Sequence, residues 1–296
     1  MNHKILRKLL KQIAQSWIMR PAKRIHEENA KEWNLPTKDK LLASAYCILN
    51  DFGDGKFPPI YADKKAVFES EDKYIRNSDV DYRQNFDATM RMPFETWVGN
   101  TNKAKQRKLM LFLSIIDKLK IKENSKILEV GCGGGWLSEI LCIKGFNVTA
   151  TTLSQEDIKI AQLRSDSLKT KKIKTTMHCL SSPMENIDKA VKDHIPYDLV
   201  FCLGALHHAF DWKEAITACK SCLKENGYLL ICDEPNWHHT FMCYRTSMIV
   251  GRHEVGFKKR DLIRHLKSEG LKIIQARREI NIGLPHWIVA QLPAAS

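Results

Sequence analysis

Three clusters in the 296-residue chain carry groups suited to chemistry. The first is Ile127-Leu128-Glu129-Val130-Gly131-Cys132-Gly133-Gly134-Gly135, an apolar run with one carboxylate that breaks into glycines. Glycines let the backbone turn sharply and let a ligand approach without meeting a Cβ. Glu129 adds a carboxylate suited to a cationic or hydroxyl-bearing ligand rather than a pyrophosphate. The spacing is Gly-x-Gly-x-Gly, and Gly134 and Trp136 break the Gly-x-Gly-x-x-Gly pattern, so a dinucleotide phosphate site is disfavoured. The second cluster, His207-His208, follows the apolar run 198–203; a histidine near neutral pKa can take the proton of a hydroxyl that becomes a nucleophile. Its bland alternative is a pair that only shapes the loop.

The third cluster is Asp233-Glu234 with His238-His239 close behind. Glu234 can orient an acceptor, or serve as a structural carboxylate that holds the following segment. His207, His208, Asp233, Glu234, His238 and His239 are metal-ligand types, but no His-x-x-x-His or comparable spacing joins them, so no metal site is expected. Cys219-x-x-Cys222 lacks a second pair at zinc-ribbon spacing and reads as core.

The elements that must position these groups have a regular pattern from Ser125 onward. Strand signals fall at 126–130, 146–151, 174–179, 198–203, 228–232, 272–280 and 286–292. Helical patterns fall at 105–119, 136–141, 156–167, 212–223 and 258–269. Strands alternating with helices of this length imply a doubly wound, mostly parallel α/β sheet. The glycine loop then sits at the carboxyl end of the first strand, where such sheets bind ligands. Segment 234–257 interrupts the alternation as an irregular insert. Its Trp237, Phe241 and Tyr244 beside Arg245, Arg252 and His253 suit either an acceptor with an apolar face and negative charge or a small subcore with a basic rim. Residues 1–104 read as a separate helical region: helix up to Pro36, another over 40–50, and a turn-rich stretch at 51–59. Residues 105–296 form the α/β domain.

Composition excludes other classes. At 44% hydrophobic and 27% charged residues the chain is globular rather than disordered, and no apolar run is long enough to span a bilayer. Nine cysteines, several inside apolar runs, point to free thiols and a cytoplasmic location. The net charge of +13 sits mostly at two ends: residues 1–40 and 245–279 each hold ten Lys/Arg against four Asp/Glu. Ile5, Leu6, Leu9, Leu10, Ile13 and Trp17 recur at helical spacing, with Lys4, Arg7, Lys8 and Lys11 on the other face. That helix either packs on its own protein, lies on an anionic membrane surface, faces RNA or is an organellar presequence.

With LEVGCGGGW at 128–136, YDLVFCLGALHH at 197–208, LKENGYLLICDEPN at 223–236, and the closing basic helix and two strands, the sequence resembles the class I S-adenosylmethionine-dependent methyltransferases from about Lys105 to Leu292. The resemblance implies a Rossmann-like seven-stranded sheet with S-adenosylmethionine as cofactor. It places Glu129, Gly131, Cys132 and Gly133 at the methionine and sulfonium portion. It places Thr152, Leu153 and Ser154 at the ribose, and Ser182, Met184 and Cys202 along the rest of the cofactor. Thr152 stands where the family usually has an acid; Thr152-Leu153-Ser154 is similar to the corresponding loop of cyclopropane fatty acid synthases. No acid stands at Ser182 or Pro183 for the adenine amino group, which leaves Glu185 as the candidate. The family's acceptor edge carries His208, His207 and Glu234 as catalytic candidates. The implied reaction is methyl transfer to a small-molecule, glycan-linked or lipid-linked acceptor, most plausibly at oxygen. RNA is less favoured, because Leu203–His208 stands where amino-nitrogen methylating relatives carry an Asn-Pro-Pro-Tyr-like loop. A non-catalytic partner subunit on the same fold is the third reading.

Overall fold

The computed structural model describes residues 3–32, 35–56, 65, 67–69, 90–94, 102–250, 253–276 and 285–294. Its centre is a seven-stranded sheet in the order β3-β2-β1-β4-β5-β7-β6. The strands are β1 (Lys126–Val130), β2 (Asn147–Thr152), β3 (Met177–Ser181), β4 (Tyr197–Leu203), β5 (Leu223–Glu234), β6 (Lys272–Ala276) and β7 (His286–Gln291). The first five run parallel, and β7 enters antiparallel between β5 and β6. Strand β3 begins later than the expected 174–179. Thr175 donates to the Cys142 carbonyl and the Thr176 N–H to Asn147 Oδ1, so before Met177 only the Thr176 carbonyl, which accepts from the Val148 N–H, joins β2 by backbone. Residues 277–280 of the expected sixth strand, like 57–59 of the expected turn, lie outside the described residues.

The sheet separates two apolar layers because successive side chains on a strand face opposite ways. On one face Leu128, Val130, Val200 and Cys202 pack with Ile187 of α7 (Ile187–Ala190), Ala215, Ile216 and Cys219 of α8 (Trp212–Ser221) and Leu262 and Leu266 of α11 (Lys259–Ser268). On the other, Ile127, Leu199 and Phe201 pack with Leu109, Phe112 and Ile116 of α4 (Lys103–Leu119), Leu137 and Leu141 of α5 (Trp136–Ile143) and Ala161 of α6 (Gln155–Thr170). Helix α4 starts where Asn102 accepts from the Lys105 N–H, and α6 where Ser154 accepts from the Asp157 N–H. All nine cysteines are free, and none of the described helices is long and apolar enough to cross a membrane.

The amino-terminal region departs from a continuous helix up to Pro36. It forms α1 (His3–Gln15), a 3-10 turn at Trp17–Met19, α2 (Arg20–Glu28) with Pro21 in its first turn, and α3 (Thr37–Gly53). Proline fixes its own φ and lacks an N–H, so it opens a new helix more readily than it continues an old one. Helices α1 and α2 both pack on α3. The insert is also more ordered than its sequence suggests, with two short helices, α9 (His238–Met242) and α10 (Tyr244–Val250), that contact α3.

The joint between them is polar and buried. Arg245, almost wholly buried, donates through Nη1 to the Glu32 carbonyl at 2.7 Å and through Nη2 to the Asn29 carbonyl, and its Nε meets His26 Nδ1 at 3.2 Å. Tyr244 donates to Asp51 at 2.9 Å. The sequence leaves both residues open between an acceptor surface and a small subcore with a basic rim. Here they fasten the insert to the amino-terminal helices, which together form a cap.

Candidate active site

Parallel β1 and β4 lie side by side, with Val130 opposite Cys202, so their carboxyl ends deliver the glycine loop and the His207-His208 loop to one place. The glycine loop turns on positive φ at Gly131, Gly133 and Gly135 and is tied down by Thr151, whose carbonyl accepts from the Gly131 and Cys132 N–H groups at 2.8 Å. A Cβ on Gly131 would stand 2.4 Å from the Ala205 Cβ and 3.0 Å from the Met184 methyl. Only glycine permits that approach. A Cβ on Gly133, by contrast, would meet no heavy atom within 4 Å, so its backbone borders open space.

The residues expected around this loop fall into two groups. Glu129, Gly131, Cys132, Gly133, Thr152, Leu153, Ser154, Ser182 and Met184 all lie at the carboxyl ends of β1, β2 and β3 or in the turns that follow. Several have side chains committed elsewhere. Ser154 caps α6, and Ser182 is buried with its hydroxyl donating to the Pro183 carbonyl. Cys132 lies in the core below the loop, its Sγ on the Gly133 carbonyl at 3.2 Å, and burial pushes its thiol well up. Cys202 is a correction: its side chain is fully buried in the core beside Cys219, away from the loop. Glu185 is another, since its Oε1 accepts from the Asp211 N–H at 3.0 Å and holds the start of α8. Glu129 is buried under the loop with Ser138 donating to its Oε2 at 2.5 Å. Burial pushes its carboxyl up to about 8, against the opposing pull of the Ser138 hydrogen bonds.

At the other wall Glu234 is fully buried. Its Oε1 accepts from the N–H groups of Ala205 and Leu206 at 2.8 and 2.9 Å, and its Oε2 from the His207 N–H and ring Nδ1 at 3.2 and 2.9 Å. A carboxylate engaged this fully positions the loop. It does not face an acceptor, so the structural alternative for Glu234 is the one realised. His208 donates through Nδ1 to the His253 carbonyl at 2.9 Å. With Nδ1–H fixed on both rings, each histidine in its neutral form presents the Nε2 lone pair. The two rings lie 3.9 Å apart, half-buried and reachable from solvent.

Sequence reasoning missed Glu254, which joins His207 and His239 on this wall. It lies in the insert next to His253, and the only signal was its place in a segment rich in histidine. It also did not single out Lys105 and Lys108 of α4, a segment that reads only as a helix. Lys108 pairs with Asp233, which has φ +57. The Lys105 ammonium lies 5.7 Å from the Trp136 ring centre, and burial, with Lys108 and Arg164 nearby, lowers it to about 8.

Comparison with known proteins agrees with this geometry. The methyltransferase-domain family matches residues 101–276, more than half of the chain. A ubiquinone biosynthesis O-methyltransferase of Vibrio atlanticus is 31% identical over 115 residues, 39% of this chain and 46% of that protein. One from Hydrogenovibrio crunogenus is 35% identical over 119 residues, 40% of this chain and 46% of its own. The chain thus spans about half the length of the curated relatives it matches. In fold it is similar to the magnesium protoporphyrin IX methyltransferase of Synechocystis PCC 6803, solved with bound S-adenosylhomocysteine. There the TM-score is 0.57 at 14% identity, covering 76% of this chain and 99% of the other.

Proposed function

The chain belongs to the methyltransferase-domain family, and we propose that it transfers a methyl group to an oxygen of a small-molecule acceptor, glycan-linked and lipid-linked ones included. S-adenosylmethionine is the cofactor of such an enzyme, and it supplies the electrophilic methyl on a sulfonium. The open space at Gly133 suits its methionine portion. Thr152 and Leu153 would meet the ribose; a threonine hydroxyl there gives about 0.5–1.5 kcal/mol, less than a carboxylate would. Backbone and Met184 would line the adenine.

The observation that carries the reading is the contact between Gly131 and Ala205, two residues before His207. It sets the turn that carries His207 and His208 against the cofactor loop. In-line displacement needs alignment and removal of the acceptor's proton; His208 takes that proton, and Glu234 holds the turn that carries the ring. The names of the ubiquinone-biosynthesis relatives support oxygen as the atom methylated and a small molecule over RNA. The outer face of α1 and the turn after it support an acceptor met at an anionic lipid surface: Ile5 and, in the turn, Trp17 are 61% and 75% exposed, Leu9 and Ile13 are exposed too, and Lys4, Arg7 and Lys8 flank the stripe on α1.

The test is label transfer from methyl-tritiated S-adenosylmethionine by the full chain. The acceptors are a polyprenyl phenol in phosphatidylglycerol vesicles, a water-soluble phenol and total RNA. Label is expected in the phenols and more in the vesicle-borne one. His208→Ala should lower kcat about 10²–10⁴-fold with cofactor affinity unchanged. Label in RNA alone, or none in any hydroxyl acceptor despite cofactor binding, would overturn the proposal.

A further inference from the structure

The half-buried wall formed by the loop after β4 and the insert holds more metal-ligand chemistry than a single general base requires. His207 Nε2, His239 Nε2 and a carboxylate oxygen of Glu254 lie within 4.8 Å of one another. Glu254 Oε2 is 2.7 Å from His239 Nε2 and 3.7 Å from His207 Nε2. Metal bonds of about 2.0–2.2 Å in a tetrahedral site put ligand atoms roughly 3.3–3.6 Å apart, so the three atoms stand within small side-chain rotations of such a geometry.

The far side of the His207 ring is arranged as it is in metal sites. His207 Nδ1 is bonded to the buried Glu234 carboxylate at 2.9 Å, and His239 Nδ1 faces Cys243 Sγ at 3.6 Å. A carboxylate on the distal nitrogen fixes the tautomer, aims Nε2 and raises its basicity. Two imidazoles and one carboxylate with a fourth position open is the donor set of catalytic zinc sites. Hard cations such as Mg²⁺ and Ca²⁺ prefer an all-oxygen shell. None of this is visible as a local motif, because the ligands sit at 207, 239 and 254 and meet only when the insert folds back. That return is fixed by the Val255 N–H on the His207 carbonyl and by the bridge between Asn236 and Phe257.

We propose that His207, His239 and Glu254 bind one divalent transition cation, Zn²⁺ or a substitute such as Co²⁺, with Glu234 as the group that orients His207. Its use rests on the oxygen-methylation reading: the open position takes the acceptor hydroxyl, whose proton passes to His208 and then to solvent. The resulting oxyanion forms the new O–C bond as the S–C bond of the sulfonium breaks and leaves a neutral thioether.

The test uses the full chain, stripped with a chelator and titrated with Co²⁺ alone, read by visible absorption and, after gel filtration with Zn²⁺, by elemental analysis. One ion per chain and a tetrahedral cobalt spectrum are expected. His239→Ala and Glu254→Gln should each weaken binding at least a hundredfold, and Cys243→Ser should leave the ion count at one. Calorimetric titration with S-adenosylhomocysteine reports whether each variant is folded. No cobalt spectrum, or a stoichiometry unchanged in folded His239→Ala and Glu254→Gln, overturns the site. Because these readouts need no acceptor, a bound ion without methyl transfer to any hydroxyl would sink the oxygen reading and leave the site standing.

Discussion

The two walls of the site are built on opposite plans. The cofactor wall is made mostly of backbone: the glycine loop after β1, with Thr151 of β2 closing two of its N–H groups, and the short turns that follow β2 and β3. The acceptor wall is discontinuous and made of side chains. Glu234, His207, His239 and Glu254 come from three segments, and the cap above them is fastened by Arg245 and Tyr244 to helices about two hundred residues earlier in the chain. A wall made of backbone tolerates side-chain exchange but not an added Cβ. A wall made of side chains can be retuned residue by residue, while its anchorage is sensitive. The same cofactor chemistry can therefore serve different acceptors by changes confined to one wall.

The largest effect that would break this contrast is expected at Gly131. Gly131→Ala puts a Cβ 2.4 Å from that of Ala205 at φ +80. Left-handed backbone and overpacking together cost about 2–5 kcal/mol. Cofactor affinity by calorimetry should fall a hundredfold or more, and retention within threefold would show that the loop is not the rigid wall described. Next comes the anchor. Arg245→Ala strands two backbone carbonyls and takes one partner from the half-buried His26 ring, a loss of about 2–4 kcal/mol in urea unfolding. If the walls are independent, acceptor KM rises at least tenfold while cofactor affinity stays within twofold; equal losses in both would tie the walls together.

The smallest effect concerns Glu129. Its carboxyl is raised in the folded chain to about 8, above the value of 4.5 in an exposed chain. The unfolded chain therefore releases its proton first, and this group withdraws stability as pH rises from about 4.5 to 8. Glu129→Gln should melt higher than the parent near pH 8 and equally near pH 4, while binding the cofactor more weakly. A Tm difference that is flat across this range would mean the carboxyl is not buried as described.

The legible part of the molecule follows the same division. The glycine loop, β1, β4 and the strand–helix alternation were readable because each depends on residues adjacent in sequence. The shift of β3 was not, because the side chain of Asn147, some thirty residues away, takes the Thr176 N–H out of the ladder. Cys202 was misassigned because its position in the strand is right but its parity is wrong: it faces α8 with Val200, not the loop. Glu254 had no signature beyond its histidine-rich surroundings, since its partners lie 15 and 47 residues away. Glu234 was recognised as one of two alternatives, and only its four hydrogen bonds decided between them.

The fastening of the cap by Tyr244 to Asp51 spans 193 residues, and that span has a meaning during synthesis. At about 5–20 residues per second, α1 to α3 leave the ribosome roughly 10–40 seconds before their partner segment exists. Through that interval the faces later covered by α9 and α10 stay open beside an already exposed apolar stripe on α1. A newly made chain therefore passes through a period of stickiness that the finished protein does not have, and its yield in a cell depends on what shelters those three helices while the rest is still being translated.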